Sequence, residues 1–417
     1  MTLLRSIALV FTALALATVA VPVQAEDEIQ VQPIQYIFNE EITFHVIFRS
    51  GTPVELAVIF FQGENDTQTV VELATVKDLG KGEYDIQYVH SLAKHRFQAF
   101  SNVEYRFEIM LKSGIFYKSP DFDFFYADNR FDWEPLQEGP FIVYWFVGDY
   151  AFAQSALDVA QEGLKHINGL LPLPAPHILH IYIYPDSKLL QDALKPTGED
   201  WIAGHAFPDL QTMMLFLPPN PEQILDMRQR IPHEIMHIML YQSTDLGYRN
   251  IPFWLNEGLA SIAELYPNPD YQILLDNAVN KDSLLSMASL CDSFPRDASG
   301  ALLAYAQSAS FTQYLYDNFG TSGLEKLISD YANGMDCENG AKSALGIGLQ
   351  QLERRWWRDS LSKNPVLSAI QKLLPWLTIL FVVLITPLGF IIYNLRSKSR
   401  EKIITSKQDQ NTTLASE

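Results

Sequence analysis

The stretch Ile231-Pro232-His233-Glu234-Ile235-Met236-His237 constrains this chain more than any other. It sets two histidines four residues apart within an apolar run that continues through Ile238, Met239 and Leu240. The run reads as a helix, and residues at i and i+4 share a helix face, so both imidazoles can reach one ion. This H-E-x-x-H spacing suits Zn2+, with Glu234 one step round the helix beside an open coordination position. Zinc lowers the pKa of its bound water from 15.7 to about 7, and a neighbouring carboxylate can take the proton as that water attacks a carbonyl. Glu234 is the candidate general base. Pro232 lacks a backbone donor, so either the helix kinks there or a new helix starts with proline in its first turn; both keep His233 and His237 on one face.

A third ligand is needed. A metzincin would place Gly and His three and six residues after the second histidine, where this chain has Leu240 and Ser243, so that class is excluded. Asp245 falls in a turn-rich loop and reads as a solvated acid. Glu257 stands near the start of a second apolar helical run, residues 252–264, and is the candidate ligand. The segment Trp254-Leu255-Asn256-Glu257-Gly258-Leu259-Ala260-Ser261 resembles the W-L-N-E-G-[FL]-A-S signature that follows H-E-x-x-H in gluzincin metallopeptidases, the group of thermolysin and the aminopeptidase N-like enzymes. The resemblance implies a catalytic domain of that type holding one Zn2+ per chain on His233, His237 and Glu257, and acting on peptides or proteins. Nineteen residues separate His237 from Glu257, one more than in the aminopeptidase pattern.

Two further stretches bear on this resemblance. Tyr305-Ala306-Gln307-Ser308-Ala309 is similar to the Y-x-K-G-A stretch carrying the transition-state tyrosine of the aminopeptidase N-like enzymes, although Gln307 and Ser308 replace Lys and Gly. It makes Tyr305 the second candidate catalytic residue, on a helix expected to end at Gly320. The G-x-M-E-N motif, whose acid binds a free amino terminus in those enzymes, is missing around residues 203–210, and His205 in that stretch reads as a structural residue. Ser261 stands where thermolysin-like enzymes carry an aspartate that orients a ligand histidine, so the supports of the zinc ligands stay unnamed.

The remaining chain reads as a multi-domain exported protein. Arg5 precedes an apolar stretch at residues 7–21, and Val23-Gln24-Ala25 offers a cleavage site, so residues 1–25 are expected to be a signal peptide. Residues 26–132 alternate β-branched and aromatic residues between turn signals, the pattern of an immunoglobulin- or fibronectin III-like all-β sandwich. His45, His90 and His95 within it are expected at the surface or on edge strands. Residues 133–140 read as a linker, and residues 141–362 as an α+β peptidase domain that starts with a strand, a long helix and another strand. Cys291 and Cys337 are expected to pair in an exported protein, with two separate thiols as the alternative. Residues 373–393 are apolar and uncharged over the length of a transmembrane helix, and Arg396, Lys398, Arg400 and Lys402 follow, which puts the 394–417 tail in the cytoplasm and the enzyme outside the cell membrane. A formal net charge of -19 argues against nucleic acid and anionic lipid as partners. The membrane enters through the C-terminal helix alone, and oligomeric state is left open. The alternative to an enzyme is a peptidase-like surface module that keeps its zinc without turnover.

Overall fold

The computed structural model describes residues 27–194, 204–220 and 222–361, with scattered positions between 373 and 385. Two compact units divide the chain: Met1–Leu157 with His177–Gln223, and Asp158–Pro176 with Ile224–Glu417.

The first unit begins with nine strands, β1 (Glu28–Val31), β2 (Gln35–Ile37), β3 (Glu41–Arg49), β4 (Val54–Gly63), β5 (Val70–Gly80), β6 (Glu83–Ser91), β7 (Ser101–Leu111), β8 (Phe116–Lys118) and β9 (Phe122–Tyr126). Their alternation sets the core. Ile42, Phe44, Val46 and Phe48 of β3 and Val103, Phe107 and Ile109 of β7 point inward and are fully buried. The expected sandwich of two separate sheets is replaced by one continuous antiparallel sheet, ordered β1-β3-β6-β5-β4-β7-β8. The reason lies in β5, which pairs with β4 through residues 70–74 and with β6 through residues 75–80, so one long strand joins what would have been two sheets. His90 also differs from expectation. It is 2% exposed, with Nε2 2.8 Å from the His95 carbonyl. His95 in turn lies 2.7 Å from Asp66, and His45 2.8 Å from Asp85.

A second sheet follows, built from β10 (Glu134–Glu138), β11 (Phe141–Trp145), β12 (Leu179–Tyr184), β13 (Gly204–Phe207) and β14 (Thr212–Phe216) in the order β10-β11-β12-β14-β13. The expected linker at 133–140 is therefore largely a strand. Pro135 is tolerated because β10 is an edge, where a missing N–H breaks no ladder on the open side. Helix α1 (Tyr150–Leu170) connects β11 to the parallel β12, and α2 (Ser187–Ala193) is capped by the Asp186 side chain. The expected boundary near residue 140 is not where the compact units divide. Tyr182, Tyr184 and Met214 of the second sheet share one core with Phe38, Phe61 and Phe107 of the first, and Phe100 stacks on Tyr182 at 3.5 Å.

The second unit is helical: α3 (Gln223–Thr244), α4 (Phe253–Ala263), α5 (Tyr271–Asn280), α6 (Ala298–Ala332), α7 (Cys337–Leu345) and α8 (Leu349–Trp356). Pro232 sits inside α3. Helix α6 breaks at Gly320, whose φ of 65° lies in the left-handed region that glycine enters without a Cβ clash, and a further helical stretch follows. Cys291 and Cys337 are bonded, tying the segment before α6 to the start of α7. The expected signal peptide and most of the expected 373–393 span lie outside the described residues, and among the described residues no helix is long and apolar enough to cross a membrane.

Candidate metal centre

Helices α3 and α4 bring the predicted ligands together. His233 Nε2 lies 3.3 Å and His237 Nε2 3.7 Å from the same Glu257 carboxylate oxygen, and one ligand atom from each residue falls within 4.8 Å of the others. The side chains are only 15%, 10% and 12% exposed, so these donors face one another in a largely buried site.

The outer nitrogen of each imidazole is occupied. His233 Nδ1 lies 3.0 Å from a Glu264 carboxylate oxygen, and His237 Nδ1 lies 3.0 Å from the Asn256 amide oxygen. Both oxygens suit an accepting role, so each Nδ1 donates its proton outward, and an imidazole that gives up any second proton presents the lone pair of Nε2 to the centre. Two imidazole nitrogens and a carboxylate oxygen are a donor set that fits Zn2+. Charge points the same way, because Glu234, Glu257 and Glu264 are all largely buried around two imidazoles, and buried carboxylates need compensation. Burial disfavours the His233 imidazolium, yet contacts with Glu257 and Glu264 outweigh it and hold this histidine well above its ordinary pKa while no metal is bound. Burial pushes Glu264 up, opposed by His233.

Sequence reasoning missed three of these residues. Glu264 is seven residues after Glu257, two helical turns along the same face, and it replaces the acid sought at Ser261, which is buried and carries no charge. Asn256 was visible only as a letter of the signature. Tyr248 lies in the short 3-10 turn Asp245–Asn250; its hydroxyl accepts from Asn256 Nδ2 at 3.0 Å and sits 3.4 Å from His237 Nδ1. Burial, then the nearby charges of Glu257 and Glu234, raise the Tyr248 pKa and keep it protonated.

Glu234 is 7% exposed on α3, next to His233. The Tyr305 ring lies 6.5 Å from the His233 ring. Gly258 permits this approach of α6 to α4, since a Cβ there would meet Thr312 and stand 2.6 Å from the Ser308 carbonyl oxygen, one turn beyond Tyr305. Further out, Phe294 packs 5.0 Å edge-on to Tyr305, and Phe253, 43% exposed, lies 5.8 Å from Phe294. Asp245 is an exposed residue outside the cluster. His205 is on the edge strand β13 with its ring 4.6 Å from Phe207.

Residues 159–362 match the Peptidase MA superfamily. The match contains every member of the centre, and this stretch is accordingly peptidase-like. No curated protein matches the chain. Solved structures that match it include a mutant M1 zinc metallopeptidase from Deinococcus radiodurans, 11% identical over 79% of this chain and 94% of that one, with a TM-score of 0.39. An aminopeptidase N family protein from Idiomarina loihiensis is 8% identical over 83% of this chain and 75% of that one, with a TM-score of 0.34. OgpA from Akkermansia muciniphila is 14% identical over 24% of this chain, which spans only 28% of OgpA, with a TM-score of 0.19.

Proposed function

We propose that this chain is a membrane-anchored, extracytoplasmic zinc metallopeptidase that hydrolyses peptide bonds. The observation that carries the reading is the convergence of His233 Nε2, His237 Nε2 and a Glu257 oxygen, with the outer nitrogen of each imidazole already engaged. When bound, zinc supplies Lewis-acid polarisation and lowers the pKa of water. Glu234 accepts the proton of the attacking water and returns it to the leaving amine. The Tyr305 hydroxyl donates a hydrogen bond to the oxyanion, a charge absent from the ground state. The ring of Phe294 against Tyr305, with Phe253 packed on Phe294, offers an apolar contact to a substrate side chain near the scissile bond. Residues 203–210 carry no G-x-M-E-N motif, so internal bonds and N-acetylated peptides are expected substrates. The apolar stretches at 7–21 and 373–393 and the basic residues after the second support export, anchoring and a cytoplasmic tail.

The test is to incubate the full chain with a peptide library, with and without a chelator, beside Glu234→Gln. Wild type should cleave free and N-acetylated peptides, and the chelator should stop it. Glu234→Gln should keep its zinc and lose about 10²–10⁴-fold in turnover. A wild type inert on every peptide would leave a zinc-binding surface module in place of an enzyme. A fully active Glu234→Gln would remove this residue from the role of base.

A further inference from the structure

Pro232 breaks a local rule one residue before a ligand. In a regular helix the N–H of residue 232 would bond the carbonyl of Arg228, but proline has no N–H and its ring crowds that carbonyl. The Arg228 oxygen is nevertheless not left without a donor. The Leu265 N–H donates to it at 2.9 Å and the Tyr266 N–H at 3.3 Å. Leu265 follows Glu264, the residue at which α4 ends with its own N–H bonded to the Ser261 carbonyl at 3.3 Å. The backbone of Glu264 is therefore held between the last bond of α4 and the first bond to α3, and its carboxylate accepts from His233 Nδ1 at 3.0 Å. A closed circuit results, running from Pro232 through Arg228, Leu265 and Glu264 back to His233.

We infer that Pro232 is a positioning residue for the metal centre: by freeing the Arg228 carbonyl it creates the docking point that sets Glu264 against His233. The inference rests on the zinc reading of the site. An ordinary residue at 232 would restore the intrahelical bond, and its N–H would compete with Leu265 for the same oxygen. Glu264 would then lose its anchor, and His233 the partner that fixes its tautomer and ring plane. A departure from helix preference at a site, compensated by a contact elsewhere in the fold, is where function is expected to override local stability. Pro232 also packs against α1, since a Cβ on Gly163 would stand 2.9 Å from Pro232 Cγ, so a packing role has to be separated from a positioning one.

The experiment compares Pro232→Ala, Glu264→Ala and the double variant in the full chain by two readouts, zinc affinity against a competing chelator and hydrogen exchange of the Leu265 and Tyr266 amides without metal. Pro232→Ala should weaken zinc binding by about 10–100-fold, the usual effect of losing a group that orients a metal ligand. The double variant should bind zinc no more weakly than Glu264→Ala alone, because the two changes act through one contact. Both amides should exchange faster in Pro232→Ala than in wild type. Additive losses of affinity, unchanged affinity, or unchanged amide protection would each overturn the inference. So would a Pro232→Ala chain that cannot fold, since Pro232 is assigned no role in holding the unit together. If wild type binds no zinc, the peptidase reading falls, and the amide readout still decides whether Pro232 sets the Arg228–Leu265 contact.

Discussion

Both units bury a carboxylate among polar partners, and they treat it in opposite ways. In the first unit Asp128 is fully buried and accepts from Arg130 Nε at 2.9 Å, Arg130 Nη2 at 2.7 Å and the Tyr184 hydroxyl at 3.0 Å, while the Trp133 indole donates to its carbonyl at 2.9 Å. One charge meets one opposite charge, and the donors surround the acid. Burial, then Asp128, raise the Tyr184 pKa, so its hydroxyl stays a donor. In the second unit Glu257 faces the inner nitrogens of two imidazoles, and the Glu234 and Glu264 carboxyl groups are buried beside them. The first network is closed, its acid met by donors on each side. The second gathers two imidazoles and a carboxylate around a common point, a set that could hold a metal ion.

That contrast can be broken most sharply by removing one member from each network. His233→Ala should take bound zinc from one ion per chain to none by elemental analysis, and equal zinc in variant and wild type would place the ligands elsewhere. Asp128→Ala leaves a half-buried guanidinium without its main partner and should cost about 3–5 kcal/mol of stability, read from denaturant unfolding, without changing zinc per folded chain. A folded Asp128→Ala chain that loses its metal would show that the two networks are not independent.

A smaller effect is expected at Tyr305. Tyr305→Phe removes only a hydroxyl, so kcat should fall by about 10²–10³ while thermal stability and zinc content persist. Early unfolding would assign the ring to packing with Phe294 instead.

The gentlest probe is pH. Because the metal-free His233 pKa is raised, its contribution to stability is full below the ordinary histidine range and is lost as pH rises through the raised value. Zinc binding must displace that proton, so affinity should weaken as pH falls through the same region, the opposite trend. Calorimetry in buffers of differing ionisation enthalpy counts the protons released, and zinc uptake without proton release would contradict the picture.

Much of the centre was legible because it is local. His233 and His237 are one turn apart on a single helix, and Glu257 lies at a recognisable spacing in the next apolar run. Glu264 escaped notice because its role depends on where α4 ends and on a backbone bond to Arg228, neither of which leaves a side-chain pattern. The alternation of β3 and β7 was equally plain, whereas the merging of two expected sheets depends on β5 changing partners halfway along its length.

What the sequence by itself determined is therefore what periodicity and short spacing encode: which residues face a core, and which two histidines share a helix face. The tertiary structure alone decided which acid would meet His233 Nδ1, that residues 134–138 would complete a sheet, and where the compact units divide. These outcomes rest on backbone hydrogen bonds and packing between segments distant in the chain, and their energies belong to pairs of segments rather than to either stretch of sequence alone.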